Sequence, residues 1–507
     1  MVTRRQFLMH STTALAGAHT CIAQEAPEGA LALVKVAQGQ LRGQVADNVH
    51  VFRVVPYAEP PTGGLRFRAP RSPLRWAGVR DATRFADAAV QPGQKDYPQS
   101  EDCLYLNIWA PSGKGPFPVF LWVHGGGFTG GRASEALYDG TRFAQAGIVC
   151  ITVGYRLGVF GFLDVSQFFG PVYAASADNA LLDLIAALRW INANVAVFGG
   201  DPDQVTIGGE SAGAKLADIL MGTLEAQSLF HQVISESGGA ERVWPEDRAT
   251  AVAKGFADEW TKQTDLPVEQ LKTAENNKII KVQEQFTKTW PEHFPLRPER
   301  NERLLPVPPL QAIRNGSTRA KRLLIGTNRD ESALFLGPHP RAVTAAQLGN
   351  LPIESFRPLE EHYRALYPED TQERRRLRAV TAEEYWIPSL RVADAHVSAG
   401  AEAYVYRFDL PGRGLFAGLA FHSYDLRFVW EFFGVEKPTA SEQKLADGMH
   451  AAWIAFIQGK PPAGPGLPPW PKYTLKERPT MIFDDISRVE LHPGADEFKL
   501  WDGLLES

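Results

Sequence analysis

Gly209-Glu210-Ser211-Ala212-Gly213 sets a serine among small residues in the pattern G-x-S-x-G. Val205-Thr206-Ile207 before it is β-branched and reads as a strand. Ala214-Lys215-Leu216-Ala217-Asp218-Ile219-Leu220 after it is a good helix former. A serine on a sharp strand-to-helix turn is a nucleophile elbow. Its glycines allow a strained turn and a close approach of the two backbones. The turn presents the Ser211 hydroxyl above a helix N-terminus, where partial positive charge favours an oxyanion. The plain alternative is a chance pentapeptide in a loop, and the flanking strand and helix argue against it.

Such a serine needs a base, a carboxylate to orient the base, and donors for the oxyanion. His124-Gly125-Gly126-Gly127-Phe128 directly follows the apolar run Phe117–Val123. Three glycines at the end of a buried strand let backbone N–H groups turn inward, so Gly126 and Gly127, with Ala212 from the elbow, are the expected oxyanion donors. Each such donor can supply ~3 kcal/mol to the transition state. A merely flexible glycine loop is the alternative. The acid and the histidine should follow the serine in that chain order. Asp330 and Glu331 both lie just past the strand expected at Arg322–Gly326, and spacing does not choose between them. Among later histidines, His422 lies in a loop between apolar segments, whereas His450 falls in a helical pattern that suits a structural role. His339, His362, His396 and His492 lack a strand-end setting. No His/Cys/Asp cluster has metal-ligand spacing, so neither metal nor cofactor is expected.

These residues require a scaffold of strands with the loops at one end. Phe117–Val123 and Gly147–Val153 are continuous apolar runs, as for strands buried on both faces. Ala180–Ile191 is an amphipathic helix that ends near the turn Phe198-Gly199-Gly200-Asp201-Pro202. His231–Ser237 and Arg322–Gly326 read as further strands, and 31–43 and 48–55 as short strands near the start. Strand and helix in alternation predict an α/β fold with a mostly parallel central sheet and helices on both faces. Residues 242–305 and 340–400 are polar, helical excursions that would build a cap. Glu373-Arg374-Arg375-Arg376 reads as a solvated helix face, and Pro461–Pro471 as a loop.

Composition bounds the function classes. The chain has 507 residues, 44% hydrophobic and 22% charged, ordinary values for a globular protein with a large core. A net charge of −5 and the lack of a basic stripe argue against nucleic acid. No run of 18 apolar residues is present in the sequence, so no membrane span is expected. Thr3-Arg4-Arg5-Gln6-Phe7-Leu8, followed by a mildly apolar run and Ala23, looks like a twin-arginine export signal over residues 1–25. The expected location is then the periplasm, with residues 26–507 as one catalytic domain. Cys21 falls in that segment, and Cys103 and Cys150 form no disulfide framework. Cys150 lies in the strand expected at Gly147–Val153 and reads as an inert core thiol.

The chain resembles the type-B carboxylesterases, the α/β-hydrolase group that includes cholinesterases and bacterial para-nitrobenzyl esterases. The resemblance rests on Val55–Pro61 with Leu65-Arg66-Phe67, and on the highly specific Ser100-Glu101-Asp102-Cys103-Leu104-Tyr105-Leu106-Asn107. Tyr155-Arg156, Phe160–Leu163, Leu181-Leu182-Asp183, Phe198–Pro202 and Trp470-Pro471 follow in order. It implies the α/β-hydrolase fold with cap insertions and a triad of Ser211, Glu331 and His422, the glutamate matching the second acid of an N-x-D-E element. It also implies that Ser237 supports the triad acid, and that Arg66–Glu101 and Arg156–Asp183 pair to hold the fold. Glu210 is expected beside the triad. The implied function is hydrolysis of small-molecule carboxylic esters through an acyl-enzyme.

Some positions depart from the pattern. Val54 replaces a glycine, Gly208 replaces an aromatic residue, Asp425 replaces a glutamate, and Ala89 stands near the place of Cys103's missing disulfide partner. Lys215 stands where small residues are usual. It either pairs with a buried acid, snorkels outward, or contacts an acyl carboxylate; Lys215 and Phe128 are candidate substrate contacts. Trp290, Phe294, Phe335, Phe416 and Phe421 are available to line the pockets, with ordinary packing as the plain alternative. Two rival functions remain. An amidase or carbamate hydrolase would use the same triad. A non-catalytic adhesion protein of this fold would lack triad members, all of which are present.

Overall fold

Side chains along Phe117–Val123 alternate between two cores. Val119, Leu121 and Val123 enter one apolar cluster, and Phe120 and Trp122 enter another. A strand buried on both faces belongs in the middle of a sheet covered on both sides. The computed structural model of the protein describes residues 31–93 and 95–504; the expected export segment lies outside them.

In chain order the strands are β1 (Leu31–Val36), β2 (Gly39–Ala46), β3 (Val49–Pro56), β4 (Val79–Asp81), β5 (Ala88–Ala89), β6 (Gln99–Ser100), β7 (Tyr105–Pro111), β8 (Phe117–Val123), β9 (Val149–Val153), β10 (Gly200–Glu210), β11 (Gln232–Glu236), β12 (Arg322–Asn328), β13 (Glu402–Phe408), β14 (Pro479–Phe483) and β15 (Arg488–Leu491). The main sheet has 13 strands, in the order β1-β2-β3-β7-β9-β8-β10-β11-β12-β13-β14-β15, with β4 paired to β2. From β9 through β14 every pairing is parallel, whereas the pairings outside that block along the main order are antiparallel. The segment 31–43, read above as a single strand, is two strands with a break at Ala37-Gln38. The next hairpin turns on Asp47-Asn48, both with positive φ (51° and 62°). That is the geometry that matches the twist of a two-residue hairpin.

The helix Asn179–Asn194 covers one face, in the cluster with Val119 and Leu121, and the helix Ala440–Ile457 covers the other, with Trp122. Among the described residues, Pro171–Phe198 alone is long and apolar enough to cross a membrane, yet 67% of its most apolar window is buried inside the protein. The excursion between β11 and β12 carries helices Glu246–Thr264 and Asn276–Thr289, joined edge to face by Phe256 and Phe286 (5.1 to 5.6 Å contacts run on to Trp290). The excursion between β12 and β13 carries Ile353–Leu366, Gln372–Thr381, a π-helical turn Ala382–Trp386, and Ile387–Ser398.

Both expected ion pairs form. Arg66 is bidentate on Glu101 (2.8 and 2.5 Å) and also donates to Leu271 O and Ala274 O, tying the first excursion to the opening segment. Arg156 is bidentate on the fully buried Asp183 (2.9 and 2.7 Å). The Arg374-Arg375-Arg376 triplet is half-buried rather than freely solvated, because Arg376 pairs with Glu360 at 2.9 Å and Arg375 donates to Tyr367 O. Cys103 and Cys150 are free and buried.

Candidate active site

Ser211 stands between the end of β10 and the helix Ala212–Gly222, with φ 55° and ψ −123°. A non-glycine residue holds such a conformation only where its surroundings enforce it. The glycines on either side explain how. A Cβ on Gly213 would lie 2.0 Å from Val123 O, and one on Gly209 would lie 2.5 Å from Gly213 C. Strand and helix touch backbone to backbone there, and Ser211 N is anchored on Glu236 O at 2.9 Å. Gly208 is equally constrained: the Phe120 ring fills its space, 2.7 Å from a notional Cβ. Ser211 is 8% exposed, and its hydroxyl makes no hydrogen bond among the described residues.

The glycine loop lies against this elbow. A Cβ on Gly125 would be 3.0 Å from Ser211 Cβ. Gly126 and Gly127 have φ of 116° and 61°, so the chain can fold back on itself, with Thr129 N and Gly130 N both donating to Gly126 O. The N–H groups of Gly126 and Gly127 make no hydrogen bond among the described residues. Ala212 N, first in its helix, has no intrahelical acceptor. His124 opens the loop but is a structural group. It stacks on Tyr155 at 4.5 Å, accepts the Tyr155 hydroxyl on its carbonyl, and burial pushes its imidazole down to about 4. Phe128 is turned into the core against Phe162 (5.2 Å) and is 2% exposed, so its ring is packing rather than a wall for substrate.

The end of β12 separates the two acids that spacing left open. Glu331 is fully buried, and its Oε2 is 2.5 Å from His422 Nδ1. Its Oε1 accepts from Ser237 Oγ and, at 2.7 Å, from Asn328 N. Asp330 instead binds Arg329 and accepts from Ala420 N at 3.0 Å, while its own N–H donates to Ala420 O. It therefore fastens the loop that carries His422. Four of the other later histidines are engaged elsewhere: His450 with Val429 O, His396 with Thr318, His362 with Pro358 O, and His492 against Arg478 and Phe498.

His422 has a carboxylate on each side, because its Nε2 is 3.0 Å from Glu210 Oε1. Burial would lower its pKa, but the charges of Glu210 and Glu331 and the Glu331 hydrogen bond outweigh that and raise it. Burial pushes the Glu210 carboxyl up to about 7, against His422 and a 2.5 Å hydrogen bond from Ser423 Oγ. Both groups thus end above their ordinary pKa values, Glu210 through burial and His422 through its carboxylate neighbours. Asp425, bound to Asn328 and Tyr406, is pushed up to about 6 by burial and by Glu331.

Phe335 and Tyr385 pack on the His422 ring at 5.0 and 4.9 Å. Phe294 bounds the glycine loop, 2.7 Å from where a Gly127 Cβ would be. Trp290 packs on Phe286, and Phe416 stacks on Phe421. Tyr385 is missing from the sequence reading, and no local signal marks it. Lys215 is 3% exposed, and its ammonium donates to Gly238 O and Glu384 O, each at 3.0 Å, with Glu384 Oε1 at 3.5 Å. Burial and Arg242 push its pKa down to about 7. Of the three expectations for Lys215, the ion pair with a buried acid is the one that forms, with the ammonium's two hydrogen bonds going to backbone carbonyls. Among the described residues no group of three or more His, Cys, Asp or Glu side chains could hold a metal ion.

Comparison with known proteins agrees with this geometry at the level of the family. A family model described as the carboxylesterase family matches residues 30–501. The chain is 34% identical over 488 residues to the para-nitrobenzyl esterase of Bacillus subtilis, covering 92% of this chain and 97% of that one. It is 31% identical over 488 residues to the phenmedipham hydrolase of Pseudarthrobacter oxydans, covering 88% and 94%. A solved carboxylesterase of Geobacillus stearothermophilus superimposes with a TM-score of 0.81 at 32% identity, covering 93% of this chain and all of that one (100%). The architecture is the α/β-hydrolase fold.

Proposed function

The chain belongs to the carboxylesterase family and is a carboxylic ester hydrolase, and we propose that it works through Ser211, His422 and Glu331 by way of an acyl-enzyme. The observation that carries this reading is the strained elbow serine beside unengaged N–H groups, with a histidine held on a buried carboxylate at 2.5 Å. In the proposed reaction an ester carbonyl lies over Ser211 with its oxygen among the N–H groups of Gly126, Gly127 and Ala212. As Ser211 Oγ attacks the carbonyl carbon, His422 Nε2 takes the hydroxyl proton. The developing imidazolium is stabilised by Glu331, which Ser237 and Asn328 hold in place. The Nε2 contact with Glu210 must yield to Ser211 in this step, as active-site hydrogen bonds commonly tighten only when substrate is bound. His422 then protonates the leaving alcohol, and water enters by the same route to release the acid.

Carbonyl substrates with a nitrogen leaving group would use the same groups. The test compares matched phenyl acetate and acetanilide on the intact chain and on Ser211→Ala. The proposal expects rapid ester cleavage, a much slower amide reaction, and loss of both in Ser211→Ala. Ester turnover that survives Ser211→Ala would overturn it.

A further inference from the structure

Lys215 lies one helical turn past Ser211, and Lys215 N donates to Ser211 O at 2.9 Å. Its ammonium joins two segments that otherwise have no covalent reason to stay together. One is the end of β11, where Gly238 O accepts at 3.0 Å directly after Ser237, the residue that supports Glu331. The other is the π-helical turn Ala382–Trp386, where Glu384 O accepts at 3.0 Å.

The second acceptor has a sequence-level cause. Glu384 lies in a π-helical turn, and four residues on, where an α-helical carbonyl would find its donor, stands Pro388, which has no N–H. A carbonyl so deprived and buried is costly unless another donor reaches it. Lys215 Nζ is that donor. Pro388 also packs close to the Gly238-Gly239 segment: a Cβ on Gly239 would lie 2.7 Å from Pro388 Cβ and 3.5 Å from Lys215 Nζ. Widened turns of this kind recur at functional sites, and this one carries Tyr385. The Tyr385 ring is 5.0 Å from Lys215 Nζ on one side and 4.9 Å from the His422 ring on the other. Glu383 fastens the turn at its far side by accepting from Asn350 N (2.5 Å) and Leu351 N (2.8 Å).

We propose that Lys215 is a positioning residue: by capping Glu384 O and Gly238 O it locks the π-helical turn so that Tyr385 braces the His422 ring for proton transfer. The proposal rests on the triad reading above. It accounts for a lysine in a helix where its charge has no solvent to meet. Its effect belongs to kcat rather than to KM, because it acts on His422 through Tyr385.

The experiment is a double-mutant cycle on the intact chain with phenyl acetate: Lys215→Met, Tyr385→Leu and both together. Each single variant should lower kcat by about tenfold with KM within about twofold, since small displacements of a reacting group cost rates of this order. The double variant should be no slower than the slower single one, because the two residues act through one contact. Losses that multiply to about a hundredfold in the double variant, or a Lys215→Met kcat within about twofold of the parent, overturn the proposal. If Lys215→Met is not recovered folded, Lys215→Gln replaces it in the cycle with the same two outcomes. Ser211→Ala separates the two layers of the argument. If that variant is inactive and the cycle multiplies, the positioning role alone fails; if that variant is active, the triad reading itself fails.

Discussion

Replacing Glu210 by glutamine should move the acid limb of the pH–rate profile to lower pH. The carboxylate sits 3.0 Å from His422 Nε2, with both side chains 4% exposed. At an effective dielectric of ~20, two unit charges at that distance interact by about 5 kcal/mol. The charge is not fully present, however, because burial pushes Glu210 up to about 7. The observable shift is therefore smaller, about one to two pH units, equivalent to about 1.4–2.7 kcal/mol. The sign follows from the base form. His422 must be neutral to accept the Ser211 proton, Glu210 raises its pKa, and removing that charge lets the ring deprotonate at lower pH. Glu210→Gln keeps the oxygen that accepts from Ser423 Oγ, so the local packing is retained. The assay is kcat/KM for phenyl acetate by pH-stat from about pH 5 to about pH 9, fitted for the ionisation of the free enzyme. An acid limb that stays in place, or moves upward, would refute the electrostatic argument.

Glu331→Gln should lower kcat by about a thousandfold or more while leaving KM close to the parent value, because the imidazolium loses its partner and the ring its tautomer; steady-state kinetics on one ester checks both. Gly127→Ala should lower kcat by about a hundredfold, since φ of 61° and a Cβ 2.7 Å from Phe294 force the donor loop to shift; a rate within about threefold of the parent would contradict the assigned role of that N–H. Arg156→Met should destabilise the fold by about 3–5 kcal/mol, because it leaves Asp183 buried without its bidentate partner; urea unfolding followed by tryptophan fluorescence measures this.

The elbow and the glycine loop were legible because their causes are local. Gly209, Gly213, Gly126 and Gly127 are required by backbone contacts and dihedrals that recur wherever this turn is built. The buried strands were legible for the same reason, since runs such as Phe117–Val123 have no polar face. The choice between Asp330 and Glu331 was not, because it depends on which carboxylate meets Ser237 and which meets Ala420, contacts spanning about ninety residues of chain. Only the family resemblance pointed to the glutamate. Gly208 departed from the pattern without explanation until the Phe120 ring was seen filling its space. Tyr385 was invisible, because a π-helical turn inside a charged helical stretch leaves no periodic mark. Lys215 was visible as an anomaly, but its acceptors are two backbone carbonyls, and a carbonyl's need for a donor is not written in any side chain.

Covalent trapping tests the central claim most directly. The intact chain is inactivated with a fluorophosphonate, digested, and the adduct mapped by mass spectrometry. The account predicts one adduct per chain, on Ser211, with esterase activity lost in proportion to labelling. Full inactivation with Ser211 unmodified, or full labelling of Ser211 with activity retained, would contradict it.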